Sequence, residues 1–383
     1  MISDIHKTVY IVSLKYAPGL FKEFKLLGGN IKKKGIRVIY LIDAGYRWLD
    51  DSNDETIYLS GGEDKGKVLS SFMKNILKNP FSSLFDKHEP SFICFYNSHP
   101  SNILLAKYIK GHFPKTHIAV YLHDPCKPSK KEYGFVKGLY IRLVEIIQKL
   151  TVRYVDYVIS PSEYSSQLFK KLCPRFMGKN YIAPLLVPDT KEVDLNKPKM
   201  FSIVGSAHKA TGHDTFLDLV NYVAVKALPY RFVLISSSNL TEYISKLMPQ
   251  TSNFLEIINK KDITDSEIDE VIRKSYAVFR LDKEVTQSGV LPLSFMHGVP
   301  VIARNIIGLR QHVEHQHNGY LVPFNCYPEE LIVAMEFIIN NFSELSGFAR
   351  QSYQKIWAEK NWDNYYLWLI KILNDNKLDP PHH

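Results

Sequence analysis

Thr286-Gln287-Ser288-Gly289-Val290-Leu291-Pro292-Leu293-Ser294-Phe295-Met296-His297-Gly298-Val299-Pro300-Val301-Ile302-Ala303 is the stretch whose reading decides the fold. Before it, Ala277 to Leu281 is an apolar, strand-like run. A polar turn containing Gly289 follows, then a short apolar helix, a Gly-Val-Pro turn and a second apolar strand. Strand, helix and strand in this order make a βαβ unit of a buried parallel sheet. At the helix start, the N–H groups of Gln287 to Val290 lack helical acceptors, and the helix dipole favours an anion there. Pro292 suits the first turn, where its missing N–H costs nothing. A βαβ unit needs no ligand, so this pattern alone names none.

The segment Ser288-Gly289-Val290-Leu291-Pro292-Leu293 through Val301-Ile302-Ala303 resembles the donor-binding segment of family 4 glycosyltransferases, and most closely a subset reading Gln-Ser-Gly-Val-Leu-Pro-Leu. The resemblance implies a GT-B fold: α/β, with two doubly wound Rossmann-like domains facing a cleft and a C-terminal helix crossing back to the first. In the family the turn amides hold a nucleotide-sugar diphosphate, a role that falls here on Thr286, Gln287, Ser288 and Gly289. Two family glutamates eight positions apart touch the donor sugar and the ribose. This chain lacks both; the first falls on Val285 or Thr286 and the second on Leu293 or Ser294, according to a one-residue gap.

Phe201-Ser202-Ile203-Val204-Gly205 is a second strand running into a loop that ends Gly212-His213-Asp214. The family reads Gly-Arg-Leu-x-x-x-Lys-Gly-x-Asp there. Gly205, Gly212 and Asp214 match without a gap, but the diphosphate-binding Arg and Lys fall on Ser206 and Thr211. Lys209 in the same loop, and Arg280 and Lys283 beside the Gln287 turn, are the candidates to replace them. A lysine point charge can reach from varied directions, whereas the guanidinium fork cannot be moved so freely.

The first half opens with a strand at Thr8–Ser13, a turn at Lys15–Gly19, a helical pattern to Lys34 and a strand at Ile36–Asp43. No G-x-G-x-x-G follows the first strand, so a dinucleotide cofactor is disfavoured. Gly19 sits where GT-B enzymes let backbone approach the donor. Further strands are expected at Ser91–Tyr96, His117–Leu122, Tyr157–Ser160 and Ile182–Pro188. Binding residues of open α/β sheets gather at strand carboxyl ends. His123-Asp124 lies at one such end and resembles the family's first-domain histidine beside the donor sugar, so His123 and Asp124 are the catalytic candidates, with His99 as a neighbour. Ser162 is expected to cap a helix, and Thr264 with Glu267 to form a capping box. Asp189 to Met200 has the composition of a linker. The domains expected are 1–190 for the acceptor, 191–355 for the nucleotide-sugar, and 356–383 as an aromatic helix, with Trp362, Tyr366, Trp368 and Leu369, packing back on the first.

A chain of 383 residues is long enough for two domains with real cores. No apolar run approaches the ~20 residues that span a bilayer. The opening residues are too polar for a secretory signal, so a cytoplasmic location is expected. The four cysteines form no C-x-x-C pair and are expected to be buried free thiols. The net charge of +9 is lopsided: residues 1–195 hold 29 Lys and Arg against 19 Asp and Glu, and the rest nearly balances. Lys127 to Arg153 is basic and aromatic, its cations interleaved with Tyr133, Phe135, Tyr140 and Ile146. It reads as a loop and an amphipathic helix that packs on the sheet or lies against an anionic leaflet. No nucleic-acid module accompanies it.

The resemblance implies a retaining hexosyltransferase that uses a nucleotide-sugar, with no cofactor and no obligatory metal. Its expected acceptor is a glycan, lipid-linked at the inner membrane face, as in bacterial surface polysaccharide assembly. The missing Arg, Lys and glutamates keep a second reading open, a non-catalytic GT-B subunit that binds a partner transferase or glycan. Sugar-nucleotide epimerisation fits the motifs less well.

Overall fold

A computed structural model describes residues 7–50, 52–59, 84–85, 87–126, 135–189 and 200–374. Lys127, Lys130, Lys131, Glu132 and Tyr133 of the basic stretch, and most of the expected linker, lie outside the described residues. The chain divides into two units. Unit 1 is 1–127, 135–186 and 362–383; unit 2 holds 187–361 together with 128–134. The main chain thus enters unit 2 at Val187 and leaves it after Asn361, where the sequence places these crossings at 191 and 356.

The sheet of unit 1 has seven parallel strands: β1 (Thr8–Ser13), β2 (Arg37–Asp43), β3 (Thr56–Leu59), β4 (Phe92–Phe95), β5 (His117–Tyr121), β6 (Tyr157–Ser160) and β7 (Lys179–Ile182). Their spatial order is β3-β2-β1-β4-β5-β6-β7. The order reverses between β1 and β4, where Val9 pairs with Phe92 and Val12 with Phe95. Alternate side chains of β1 enter two separate cores. Val9 and Ile11 bury on one face, and Tyr10 and Val12 on the other. A sheet covered on both faces needs continuous apolar strands, which is why Thr8–Ser13 shows no polar alternation.

Unit 2 repeats the plan with six parallel strands: β8 (Met200–Val204), β9 (Arg231–Ser236), β10 (Leu255–Asn259), β11 (Ala277–Arg280), β12 (Val301–Arg304) and β13 (Gly319–Val322). Their order is β10-β9-β8-β11-β12-β13, so the reversal falls between β8 and β11. There Ile203 pairs with Phe279, and Arg280 pairs with Ala303 of β12. The helix Val290–Met296 joins β11 to β12, as its apolar pattern predicts.

Both expected caps form. Ser162 accepts from Ser165 N–H, and Thr264 and Glu267 make the reciprocal pair of a capping box. Two expectations need correction. The last strand of unit 1 is Lys179–Ile182, so most of the run to Pro188 is strand-free. Trp357 is not part of the terminal helix. It caps the helix Phe342–Ile356 and buries against Phe295 in unit 2. The terminal helix is Trp362–Asn374 and belongs to unit 1. Trp362, Tyr366, Leu369 and Leu373 place one stripe in the core shared with Val9 and Ile11. Each such side chain contributes ~1.5–3 kcal/mol by leaving water. Trp368 stacks flat on Tyr181, with ring centroids 4.1 Å apart. All four cysteines are free, but only Cys94 is fully buried.

Candidate functional site

In doubly wound sheets a ligand crevice opens beyond the strand carboxyl ends, where the strand order reverses. In unit 2 that point lies past Val204 and Arg280. Gly205 follows β8 with φ +116°, a conformation that side-chain-bearing residues avoid, and its N–H donates to Ile235 O at 3.1 Å. The loop then runs to Gly212, φ +71°. A Cβ on Gly212 would stand 2.1 Å from Leu281 O. Only glycine lets this loop pass so close to the segment after β11. Lys283 N–H donates to Ala210 O at 2.8 Å and closes the seam.

Within the loop Thr211 works structurally. Its hydroxyl accepts from His208 N–H at 2.9 Å, donates to His208 O at 2.8 Å and lies 2.9 Å from His213 Nδ1. Ser206 and Lys209 are not buried, and Lys209 makes no ion pair among the described residues.

Arg280 crosses the switch point. Its Nη1 donates to Val204 O at 3.3 Å and its Nη2 to Asp282 Oδ1 at 3.0 Å. Its buried Nε has no hydrogen-bond partner among the described residues. Lys283 pairs with Asp214 at 3.1 Å. Burial pushes the Asp214 carboxyl up, but the bonds from Lys283 and Thr215 N–H, with the charges of Lys283 and Arg304, carry it below the usual carboxylate range.

Arg304, at the end of β12, carries no motif signal in the sequence. It is buried, donates from Nη2 to Thr215 Oγ1 at 3.1 Å, and lies 5.3 Å from the Phe324 ring centre. Its Nε and Nη1 have no hydrogen-bond partner among the described residues. Arg280 pairs with Asp282 and Lys283 with Asp214, while three guanidinium nitrogens of Arg280 and Arg304 are unsatisfied among the described residues. Unmet donors on buried cations are costly, and an anion would satisfy them.

The Gln287 turn departs from expectation in one respect. Thr286 is buried, while Gln287 and Ser288 are half-buried. Gly289 is exposed, begins the helix with φ −66°, and has nothing within 4 Å of where a Cβ would stand. The Ser288 hydroxyl lacks a partner among the described residues. Ser294, by contrast, is fully buried and offers no surface to a donor.

In unit 1 the reversal lies past Ser13 and Tyr96. Asn97 Nδ2 donates to Ser13 Oγ and to Lys15 O, both at 2.7 Å, and ties the ends of β1 and β4 together. Gly19 is exposed in the turn Pro18–Leu20, with open space at its Cβ position. His99 is completely buried and accepts from Ser101 N–H at 3.1 Å, a structural role. His123 follows β5 and stacks on Tyr121 at 4.5 Å. One edge of the ring meets solvent, but the packing around it disfavours the charged form. Burial lowers its pKa to about 4 against the opposing pull of Asp124. The ring is therefore neutral near pH 7. Its Nε2 lies 3.1 Å from Tyr96 O, an atom that only accepts, so Nε2 carries the proton and Nδ1 is the acceptor. Asp124 is exposed, and its backbone carbonyl accepts from Gln148.

Residues 198–341 match the family described as glycosyl transferases group 1. The matched residues fall in unit 2 and include the Gly205–Gly212 loop, Arg280 and the Gln287 turn. No curated protein sequence matches the chain. Among solved structures, the sucrose-phosphate synthase of Thermosynechococcus elongatus aligns with a TM-score of 0.76 at 15% identity, over 96% of this chain and 99% of that one. HepE of Anabaena, solved with UDP, aligns with a TM-score of 0.70 at 14% identity, over 95% and 99%. The pneumococcal O-GlcNAc transferase GtfA, solved with UDP and GlcNAc, gives 0.69 at 10%, over 97% and 100%. Full-length alignment at such low identity identifies the GT-B fold of the glycosyltransferase domain and its companion unit.

Proposed function

We propose that the chain moves a sugar from a nucleotide-sugar to a glycan acceptor. The observation that carries this reading is the seam between the Gly205–Gly212 loop and Arg280–Lys283 at the switch point. Arg280 and Arg304 bring unsatisfied N–H groups to that end of the sheet. The bond between the sugar's anomeric carbon and the diphosphate breaks, the acceptor hydroxyl oxygen bonds to that carbon on the same face, and its proton passes to the departing phosphate oxygen as the nucleoside diphosphate leaves. Stabilising the departing diphosphate is the main demand, met by Arg280, Arg304 and the Gln287–Gly289 amides. Holding the acceptor hydroxyl close to the anomeric carbon does much of the rest. This reading invokes no cofactor and no obligatory metal; it assigns the leaving diphosphate to Arg280, Arg304 and the Gln287–Gly289 amides.

The acceptor is lipid-linked, as in bacterial surface polysaccharide assembly, and the chain works peripherally on an anionic membrane face. The basic excess of residues 1–195 supports that part. The testing experiment is a thermal-shift screen of UDP-, GDP- and ADP-sugars, since a ligand that binds only the folded chain raises its melting temperature. A shift with one base class, followed by release of that nucleotide on adding acceptor glycans, is the expected result. Indifference to every activated sugar ends the reading.

A second reading is a non-catalytic GT-B subunit. Ser294 favours it: where the family has a ribose-binding glutamate, this side chain is short and sealed in the core. Donor binding without turnover, in the presence of a partner transferase, is what this reading requires.

A further inference from the structure

The helix Phe135–Val152 of unit 1 is built inside out. Glu145, Gln148 and Thr151 are buried against the unit. Leu139, Leu143 and Ile146 are 62%, 53% and 53% exposed. Their spacing of four and three residues puts them on one outward stripe. Arg142, Lys149 and Arg153, all exposed, run along one edge of that stripe. An apolar face turned to water beside a row of cations is unfavourable for an isolated molecule and needs a cover.

The end of this helix opens on a cavity of about 330 Å³. Lys149, Arg153 and Arg175 line it, over Val152, Val155 and Phe176. No Asp or Glu lines it among the described residues. At its edge Met177 is 81% exposed. Burial pushes the Cys173 thiol up, and the nearby Lys149 charge draws it back. The cavity sits at the amino-terminal ends of β6 and β7, next to Val155 and Gly178. His123 lies at the opposite, carboxyl end of the sheet.

We propose that this face docks on an anionic lipid bilayer, with Leu139, Leu143, Ile146 and Met177 at the acyl boundary and one phosphate headgroup seated among Lys149, Arg153 and Arg175. Apolar stripes edged with Lys and Arg are the signature of helices lying in the interface plane. Charge complementarity selects the occupant: four cations, Arg175 included, form no ion pair with an acid among the described residues of this face. The inference extends the membrane part of the proposed function and stands on unit 1 alone. It does not depend on sugar transfer.

Flotation with vesicles of phosphatidylcholine, with and without phosphatidylglycerol, tests it. The full chain is expected to float with phosphatidylglycerol vesicles and to stay behind with phosphatidylcholine alone. Each cation near an anionic surface multiplies partitioning about fivefold. Arg153→Ala with Arg175→Ala therefore loses roughly 25-fold, and raised salt does the same. Leu143→Asp with Ile146→Asp abolishes flotation without lowering the melting temperature, because both side chains are exposed. Donor binding, followed by nucleotide-sugar thermal shift, stays intact in all these variants, so this surface fails or holds separately from the transfer site. Equal flotation with both vesicle types, or unchanged flotation in the aspartate pair, overturns the proposal. So does self-association of the chain that the same pair removes, which would give the face to a second copy.

Discussion

Arg280 spans the reversal of the second sheet, reaching from the end of β11 to Val204 O at 3.3 Å while paired with buried Asp282. One side chain thereby does two jobs. It holds β8 and β11 at a fixed spacing, and it holds positive charge at the switch point.

The two jobs separate by mutation. Arg280→Ala removes the cation beside the buried Asp282 carboxylate, and breaking a buried pair costs about 3–5 kcal/mol. Arg280→Ala with Asp282→Asn removes both charges of that pair and should recover most of that loss in a thermal melt. Donor affinity should not recover, because the cation is still missing. If titration with the nucleotide-sugar shows the double variant binding as tightly as the parent, Arg280 is only a structural tie.

Arg304 gives a cleaner case, since its Nε and Nη1 are unsatisfied among the described residues of the folded chain. Replacing a buried, under-satisfied charge by an apolar side chain of similar length is often neutral or stabilising. Arg304→Met should leave the melting temperature level or higher. It should weaken donor binding about tenfold, the loss of one charge-assisted contact worth ~1.4 kcal/mol. Unchanged binding at a raised melting temperature would remove Arg304 from the site.

Glycine positions sort the loops by what they tolerate. A Cβ at Gly212 meets Leu281 O at 2.1 Å in a left-handed backbone, so Gly212→Ala should destabilise unit 2 by about 2 kcal/mol or more. At Gly19 the same methyl enters open space, and Gly19→Ala should melt like the parent. Any fall in transfer by Gly19→Ala then reports a ligand passing close to the backbone. Full activity would leave Gly19 as a turn residue only.

Much of this arrangement is legible in the amino-acid pattern. Gly205 directly follows the mostly apolar β8 and Arg280 ends β11, so these strand-end residues can be counted off directly, and Gly212 closes the loop between β8 and the next helix. Arg304 escapes because a lone arginine after Val301-Ile302-Ala303 reads as a solvated strand end; its burial depends on Phe324 and Thr215, neither of them its neighbour in sequence. Ser294 misleads for a related reason. Its motif position fits a donor contact, yet the side chain is fully buried, which depends on packing rather than on pattern. The strands Thr56–Leu59 and Leu255–Asn259 are short, only partly buried edge strands, so their apolar runs are weak. The inverted helix at 135–152 is amphipathic in its residue pattern; only its packing reveals that Glu145 and Gln148, not Leu143, are the side turned in.

Two groups in unit 1 set opposite pH limits on its stability. His123 has its pKa lowered to about 4, so between pH 6.5 and 4 the unfolded chain binds a proton that the folded chain does not. Stability from this group is fully present above pH 6.5 and is lost as pH falls through that window. Glu23 is the reverse case. Burial raises its pKa to about 8, and its Oε2 is buried without a hydrogen-bond partner among the described residues. It is protonated when folded and ionised when unfolded, so its contribution is complete below pH 4.5 and is lost as pH rises toward 8. Melting temperatures recorded from about pH 4 to pH 9 should therefore fall off on both sides for the parent chain. His123→Asn should flatten the acid limb and leave the alkaline limb alone, while Glu23→Gln should do the opposite. The comparison is between slopes, so a uniform loss of stability in either variant does not blur it. A parent profile with the same alkaline slope as Glu23→Gln would mean that Glu23 is solvated and ionised in the fold, and the small pocket it shares with Tyr96, Trp362 and Tyr366 would then have to admit water.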